Sequence, residues 1–235
     1  MYFGRCVVTG GRGFLGPSIV DALRAAGNHV AFVSREQALE GNYDLLVHAA
    51  PTPLEPYRGR SKRTIVLSSG AVTVRGTEYL HGYADEKRAL EAEARDEGAQ
   101  IARIYSVLGP GVTRHKHFAA TQFLEQAIAG GPVVFGDNAV RSYLHPTDVA
   151  SAVLTILERG DEQPYDVGGE EAINVANLGL RIAQAANVFS GGSYLGPVDD
   201  VYLPDLTRLH ALGWKQTIGL DAMIEETLKS LRVKA

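Results

Sequence analysis

The sequence predicts an α/β protein: a shortened, doubly wound parallel sheet with a small, mainly helical lobe toward the C-terminus. Three observations carry this expectation. Short continuous apolar runs alternate with helix-period segments as far as Arg159, the pattern of strands buried on both faces and joined by crossover helices. A glycine-rich turn follows the first run directly and opens the first helix. The last third instead reads as amphipathic helices separated by Gly/Pro-rich loops such as Gly191-Gly192.

The elements follow in order. Residues 5–9 (RCVVT) form the first strand and residues 17–26 the first helix. Further strands are expected over residues 28–34 (NHVAFVS), 43–49 (YDLLVHA), 64–68 (TIVLS) and 100–105 (QIARIY), with helices over 83–97 and 148–159. Each run is apolar along its length rather than alternating, so both faces are expected to be covered. Right-handed crossovers then set the topology. Residues 113–130, 174–186 and 220–232 space their apolar residues for a helix with one buried face. Residues 1–110 plus 140–168 are expected to form the sheet domain, and 111–139 plus 169–235 the smaller lobe.

Size and charge narrow the functional classes. At 235 residues the chain is one large domain or one domain with a small lobe. It carries 23 Lys and Arg against 27 Asp and Glu, a net charge of −4. With no basic excess to neutralise phosphates, a nucleic-acid partner is not expected. Cys6 is the only cysteine, which excludes an intramolecular disulfide and a four-cysteine metal site. His115 and His117 stand two apart, point away from each other on a helix and have no carboxylate companion, so no metal site is expected. The segment from Met1 to Arg5 lacks the pattern of a signal peptide. No apolar run is long enough to span a membrane. The expected setting is reducing and cytoplasmic.

The turn reads Gly10-Gly11-Arg12-Gly13-Phe14-Leu15-Gly16 and contains G-x-G-x-x-G at Gly11, Gly13 and Gly16. A turn without side chains lets the backbone approach a pyrophosphate. The helix N-terminus behind it supplies N–H groups and the positive end of a dipole. A tight strand-to-helix turn with no ligand would use similar residues. The position at the first strand–helix junction favours the dinucleotide reading. NAD sites place an acidic residue about 20 residues on, at the end of the second strand, to hold the ribose 2′-hydroxyl. Ser34 and Arg35 stand there instead, and Arg12 lies in the turn. Arginine pairs with a 2′-phosphate, so NADP is expected, with NAD possible. In the alternative, Arg12 and Arg35 are solvated and Glu36 takes the ribose.

Tyr83 and Lys87 stand four apart, on one face of a helix. A phenol with a pKa near 10 is a poor base at neutral pH, and an adjacent ammonium is expected to lower that pKa. The lysine can also hydrogen-bond a cofactor ribose. The strand before this helix ends in Ser68-Ser69 at its carboxyl end, where ligands bind in open α/β sheets. Ser69 is placed to hydrogen-bond a substrate oxygen beside Tyr83. The alternative makes Ser68 and Ser69 ordinary strand-end caps. The constellation assigns Ser69, Tyr83 and Lys87 to catalysis and Ser69 also to substrate.

With these motifs in view, the chain resembles the extended short-chain dehydrogenases/reductases, in particular the NAD-dependent epimerase/dehydratase family that acts on nucleotide sugars. Thr9 to Gly16 resembles the family's nucleotide turn, and Val47-His48-Ala49-Ala50 its motif beside the cofactor. Residues 104–111 (IYSVLGPG) resemble the entry into the substrate lobe, and Arg141 to Ala150 the segment that crosses back. The resemblance implies a Rossmann-type fold. It implies cofactor contacts from residues 10–16, His48, Ala49, Ala50, Tyr83 and Lys87, with Ser106 and Arg141 facing the substrate.

The chain also departs from the family pattern. The span from Arg35 to Tyr43 leaves no room for the family's third strand. Residues 51–63 are too short and Pro/Gly-rich for the helix that builds the usual dimer, so that dimer is not expected. Ser69-Gly70-Ala71 lacks the Thr-Asp-Glu run that drives dehydration. Ser106 replaces a common asparagine, and no second arginine lies near Asp199-Asp200. The expected activity is NAD(P)-dependent reduction of a keto group on a nucleotide sugar or related ketone. The alternatives are an epimerase holding NAD tightly, or a non-catalytic dinucleotide-binding sensor.

Overall fold

The computed structural model describes residues 1–33, 41–73, 81–112, 118–135, 139–192 and 200–233. In chain order the elements are β1 (Arg5–Thr9), α1 (Gly16–Ala25), β2 (His29–Val33), β3 (Tyr43–His48), β4 (Ser61–Ser69), α2 (His81–Asp96), β5 (Gln100–Ile104), α3 (Ala119–Ile128), β6 (Val133–Phe135), β7 (Val140–Ser142), α4 (Pro146–Arg159), β8 (Tyr165–Val167), β9 (Ala172–Asn174), α5 (Val175–Ala186), β10 (Ser190–Gly192), β11 (Val201–Tyr202), α6 (Thr207–Ala211) and α7 (Leu220–Arg232). They fall into two compact units: residues 1–104, 147–167 and 205–215, and residues 105–146, 168–204 and 216–235. Relative to the expected domains, residues 105–110, 140–146 and 168 lie in the second unit and 205–215 in the first.

The first unit is a six-stranded sheet in the order β2-β1-β3-β4-β5-β8. Every pairing is parallel. Among the described residues the doubly wound order 3-2-1-4-5-6 is therefore kept without its third strand, and β2 forms the edge. Cys6, Val7 and Val8 in β1 are fully buried, as are Leu45 and Val47 in β3 and Ile65 and Val66 in β4. Burying such side chains contributes roughly 1.5–3 kcal/mol each, which is why these uninterrupted apolar runs occupy the middle of the sheet. One core cluster joins Val7, Leu46 and Val66 to Leu90 and Ala94 of α2 and Ile101 of β5. Residues 51–63 hold only one short 3-10 turn, Glu55–Tyr57, before β4 begins. Asn28 is buried and ties the ends of the first β–α–β unit: its amide oxygen accepts from Gly4 N–H and its amide nitrogen donates to Leu23 C=O.

The chain goes left from β1 to β2 and then crosses to β3 on the other side. That reversal leaves a crevice outside the carboxyl ends of β1 and β3. The glycine turn, Ala49-Ala50 and Ser69 stand at the carboxyl ends of β1, β3 and β4 respectively.

The second unit packs Phe123 and Leu124 of α3, Leu178 and Ile182 of α5, and Met223 and Ile224 of α7 into one core. Alongside the expected helices it has two small sheets, β10-β6 and β11-β7-β9. These two- and three-residue strands are too short to show a period in the sequence. Residues 205–215 belong to the first unit because Trp214 donates its indole N–H to Ser151 Oγ on α4 at 2.9 Å and Arg208 stacks on Tyr165 of β8. Among the described residues no helix is long and apolar enough to cross a membrane.

Candidate active site

The glycine turn is built from close backbone approaches. Gly10 has φ +70°, and a Cβ on it would lie 3.0 Å from the Ala49 carbonyl and Ala50 nitrogen. A Cβ on Gly16 would sit 2.3 Å from Gly10 O and 2.5 Å from Gly11 Cα, and one on Gly11 would sit 2.5 Å from Phe32 Cβ. These three glycines are required by the protein itself. Gly13 differs: its Cβ would meet only Gly10 O, at 3.1 Å, while its N–H donates to that same oxygen at 2.8 Å. The side of Gly13 facing away from the protein is thus kept free of a side chain where nothing among the described residues demands it. Helix α1 starts at Gly16 with Pro17 in its first turn, no acidic residue there and no side-chain cap. Its N–H groups and dipole end are available to an anion. Arg12 is exposed, and its guanidinium lies over the Phe32 ring, 5.5 Å from the centroid. Phe14 and Leu15 complete the turn, half-buried. Ser34 and Arg35 lie outside the described residues.

His48 is fully buried at the end of β3. Nε2 lies 2.8 Å from Thr52 C=O, an acceptor only, so Nε2 carries the proton. Nδ1 then accepts from the Thr9 hydroxyl at 2.9 Å. Burial holds its pKa below the ordinary value, and the Lys87 charge pushes the same way. Both ring nitrogens are engaged within the protein, so the side chain braces Thr9, the residue before Gly10, rather than offering a free nitrogen. The Ala49-Ala50 backbone, next in the chain, approaches the turn.

At the end of β4, Ser69 is buried and its hydroxyl accepts from Ala71 N–H at 3.2 Å. Helix α2 brings Tyr83 and Lys87 to this strand end. Burial around the phenol pushes Tyr83 up, a hydrogen bond with Ser69 opposes this, and the Glu86 charge adds to the rise. The net shift is upward even though 44% of the residue is exposed. This corrects the expectation that the lysine makes the phenol acidic: the Ser69 contact forms, but desolvation outweighs it and the resting phenol is protonated. Lys87 is only 8% exposed, and its ammonium donates to Leu67 C=O at 3.1 Å. Burial lowers the Lys87 pKa, with Glu86 and Glu91 opposing.

Glu91, which sequence reading missed, lies one helical turn beyond Lys87. It is 2% exposed. Its carboxylate accepts from Ser68 Oγ, from Arg103 through Nε and Nη2, and from Arg95, each at 2.8 Å. Burial raises its pKa, but these hydrogen bonds bring the net value below the ordinary range. The available signal was its place on the Tyr83–Lys87 face, hidden in a polar stretch that reads as a solvated helix.

Ser106 and Arg141 belong to the second unit. The Ser106 carbonyl accepts from Leu144 N–H at 3.0 Å. Arg141 is not free: it is ion-paired with Asp200, donates to the Asp200 carbonyl at 3.2 Å and lies over the Tyr202 ring. His115 and His117 fall outside the described residues.

A strand-end crevice, a glycine turn and a serine, tyrosine and lysine on one strand–helix pair sit on a Rossmann-type α/β sheet. A sequence model of the NAD dependent epimerase/dehydratase family matches residues 58–176, and the chain belongs to that family. It is 21% identical to UDP-glucuronic acid decarboxylase 1 of Xenopus tropicalis, over 97% of this chain and 72% of that one. That alignment runs to 305 positions, so the relative carries segments this chain lacks. The fold superposes on UDP-glucuronic acid 4-epimerase from Bacillus cereus in complex with UDP-glucuronic acid and NAD, with TM-score 0.80 and 16% identity over 98% of this chain and all of that one. It also superposes on RMD from Pseudomonas aeruginosa complexed with NADPH, with TM-score 0.78 and 21% identity over 98% and 99% of the two chains.

Proposed function

We propose that this chain is an NAD(P)-dependent oxidoreductase that reduces a keto group on a nucleotide sugar, with NADPH as the favoured cofactor. The observation that carries the reading is the convergence of Ser69, Tyr83 and Lys87 on the carboxyl end of β4, with the phenol hydrogen-bonded to Ser69 and the Lys87 ammonium to Leu67 C=O. The residues fit the cofactor. Gly13 leaves a face without a side chain, α1 offers uncapped N–H groups, and Arg12 supplies a cation beside the end of β2 for a 2′-phosphate.

When bound, the nicotinamide nucleotide supplies the hydride; the chain supplies orientation and protons. Ser69 donates a hydrogen bond to the substrate carbonyl and polarises it. As the carbonyl carbon gains the hydride, the C=O electron pair moves onto oxygen, and Tyr83 Oη delivers its proton to that alkoxide. Lys87 stabilises the phenolate left behind. The upward shift of Tyr83 suits this direction, because the donor stays protonated through the neutral range. Nucleotide sugars are the substrate class because two of the proteins named above, the decarboxylase and the 4-epimerase, are named for or bound to UDP-glucuronic acid.

A second reading is an epimerase with tightly held NAD. It is favoured by the family and by the epimerase among the structural neighbours. In it Tyr83, supported by Ser69 and Lys87, would take the proton of a sugar hydroxyl while bound NAD would accept the hydride from the same carbon, and both would be returned with the hydride delivered to the opposite face of the keto sugar. Nucleotide released from the purified, denatured protein and NADPH consumption with a UDP-4-keto sugar separate the two. Steady NADPH consumption supports reduction. Retained NAD with no net consumption supports epimerisation, and nucleotide binding with no redox change overturns both.

A further inference from the structure

Tyr83, Lys87, Glu91 and Arg95 fall at successive steps of four along α2; Lys87 and Glu91, in the middle, are buried, while Tyr83 and Arg95 at the ends are exposed. Three of them touch consecutive residues of β4. Tyr83 hydrogen-bonds Ser69, Lys87 donates to Leu67 C=O, and Glu91 accepts from Ser68 Oγ. Arg103, the direct register partner of Ser68 on β5, makes the two-pronged contact with the Glu91 carboxylate. A single buried carboxylate thereby fixes the helix to two adjacent strands at the level just before Ser69.

We propose that Glu91 is a positioning residue: by holding α2 in rotation and register against Ser68 and Arg103, it sets Tyr83 against Ser69. This rests on the function proposed above. Glu91 touches neither substrate nor cofactor. Its carboxylate is too deeply buried to be a solvated surface charge, and a buried ion pair is a weak stabiliser compared with apolar packing of the same shape. What it provides is directionality. Apolar packing alone lets a helix roll by several degrees, whereas a bidentate arginine–carboxylate contact is fixed in angle as well as distance. A misplacement of about 1 Å at a reacting group costs on the order of a hundredfold in rate.

The test has two readouts, so that the proposal and the function beneath it fail separately. Tyrosines labelled with 13C at Cζ, with Tyr83 assigned by its absence in Tyr83→Phe, allow the phenol to be titrated without any assay of activity. In the wild type, Ser69→Ala raises the Tyr83 midpoint because the hydrogen bond that lowers it is lost. In Glu91→Gln the midpoint is already raised and Ser69→Ala no longer moves it. Turnover of the keto sugar falls about ten- to a hundredfold, while KM for NADPH, set at the glycine turn, changes less than twofold. Glu91→Met combined with Arg103→Met strands no buried charge and serves if the single variant does not fold; the same uncoupling is expected. A folded variant of either kind with a wild-type Tyr83 midpoint and a wild-type response to Ser69→Ala overturns the proposal. If the wild type and Tyr83→Phe turn over equally, the functional reading fails while the titration still decides the role of Glu91.

Discussion

Gly13→Ala and Gly16→Ala should have opposite consequences, because one glycine answers to the ligand and the other to the fold. At Gly16 the added methyl would lie 2.3 Å from Gly10 O and 2.5 Å from the Gly11 backbone. Backbone atoms cannot rotate aside, so the turn must open. The cost is of the overpacking kind, about 1–3 kcal/mol or more. At Gly13 the methyl meets only Gly10 O at 3.1 Å, and φ is not in the left-handed region. A shift of a few tenths of an ångström relieves it. Gly→Ala also narrows the unfolded ensemble, a gain of about 0.4–1 kcal/mol. Gly13→Ala should therefore leave chemical-denaturation stability within about 1 kcal/mol of wild type. The methyl would nevertheless stand where a pyrophosphate has to approach the backbone. Binding of NADPH, followed by nucleotide fluorescence, should weaken at least tenfold, or about 1.4 kcal/mol. Gly13→Ala with unchanged nucleotide affinity would refute the assignment of this turn to a dinucleotide. Gly16→Ala with unchanged stability would refute the steric argument.

Other outcomes follow from the same structure. Tyr83→Phe should lower kcat by about 10²–10⁴ with little change in fold, as expected for loss of a general acid. Since the phenol is shifted up from 10, reductive kcat should hold through pH 9 and fall only above 10; a tyrosine-dependent alkaline limb below pH 9 would contradict this. Cys6 is fully buried and its thiol is pushed up to about 11, burial first and the Asp44 charge second. At pH 8 only about one thiol in a thousand is ionised, so a disulfide reagent should label it at the rate of unfolding, and rapid labelling of the native protein would contradict its burial. The folded pKa of His48 is depressed, so the stability it lends is present above its unfolded value near 6.5 and is lost as pH falls through the folded value. Tm should drop on acidification from pH 6.5, and His48→Gln should flatten that part of the curve at a cost of about 1–3 kcal/mol at neutral pH.

The sheet was readable because β1, β3 and β4 are buried on both faces, which forces long apolar runs that no surface element would show. The glycine turn was readable because close approach admits no side chain, and the lack of a third strand among the described residues because the span from Arg35 to Tyr43 is short. The three-residue β8 was not readable. It joins the sheet through pairing with Ala102, Arg103 and Ile104, a tertiary gain with no periodic signal. Residues 205–215 dock on the sheet unit through Trp214, Arg208 and Asp205, contacts that spacing cannot reveal. At the site, spacing brought Tyr83 and Lys87 to one face but could not give the sign of the phenol's shift. That sign depends on how far burial desolvates the phenol itself, against its hydrogen bond with Ser69. Glu91 escaped because a buried charge and a solvated one look alike until their partners are known.

The most direct measurement is absorbance at 340 nm of the protein–nucleotide complex on addition of a nucleotide sugar, for wild type and Tyr83→Phe side by side. The account predicts a substrate-dependent change in the nicotinamide band that is slowed at least a hundredfold in the variant: a fall with NADPH and a 4-keto sugar, or a rise with retained NAD and a hydroxyl sugar. A nucleotide-loaded wild-type protein whose band stays constant with both kinds of sugar, or a variant that matches the wild type, would contradict it.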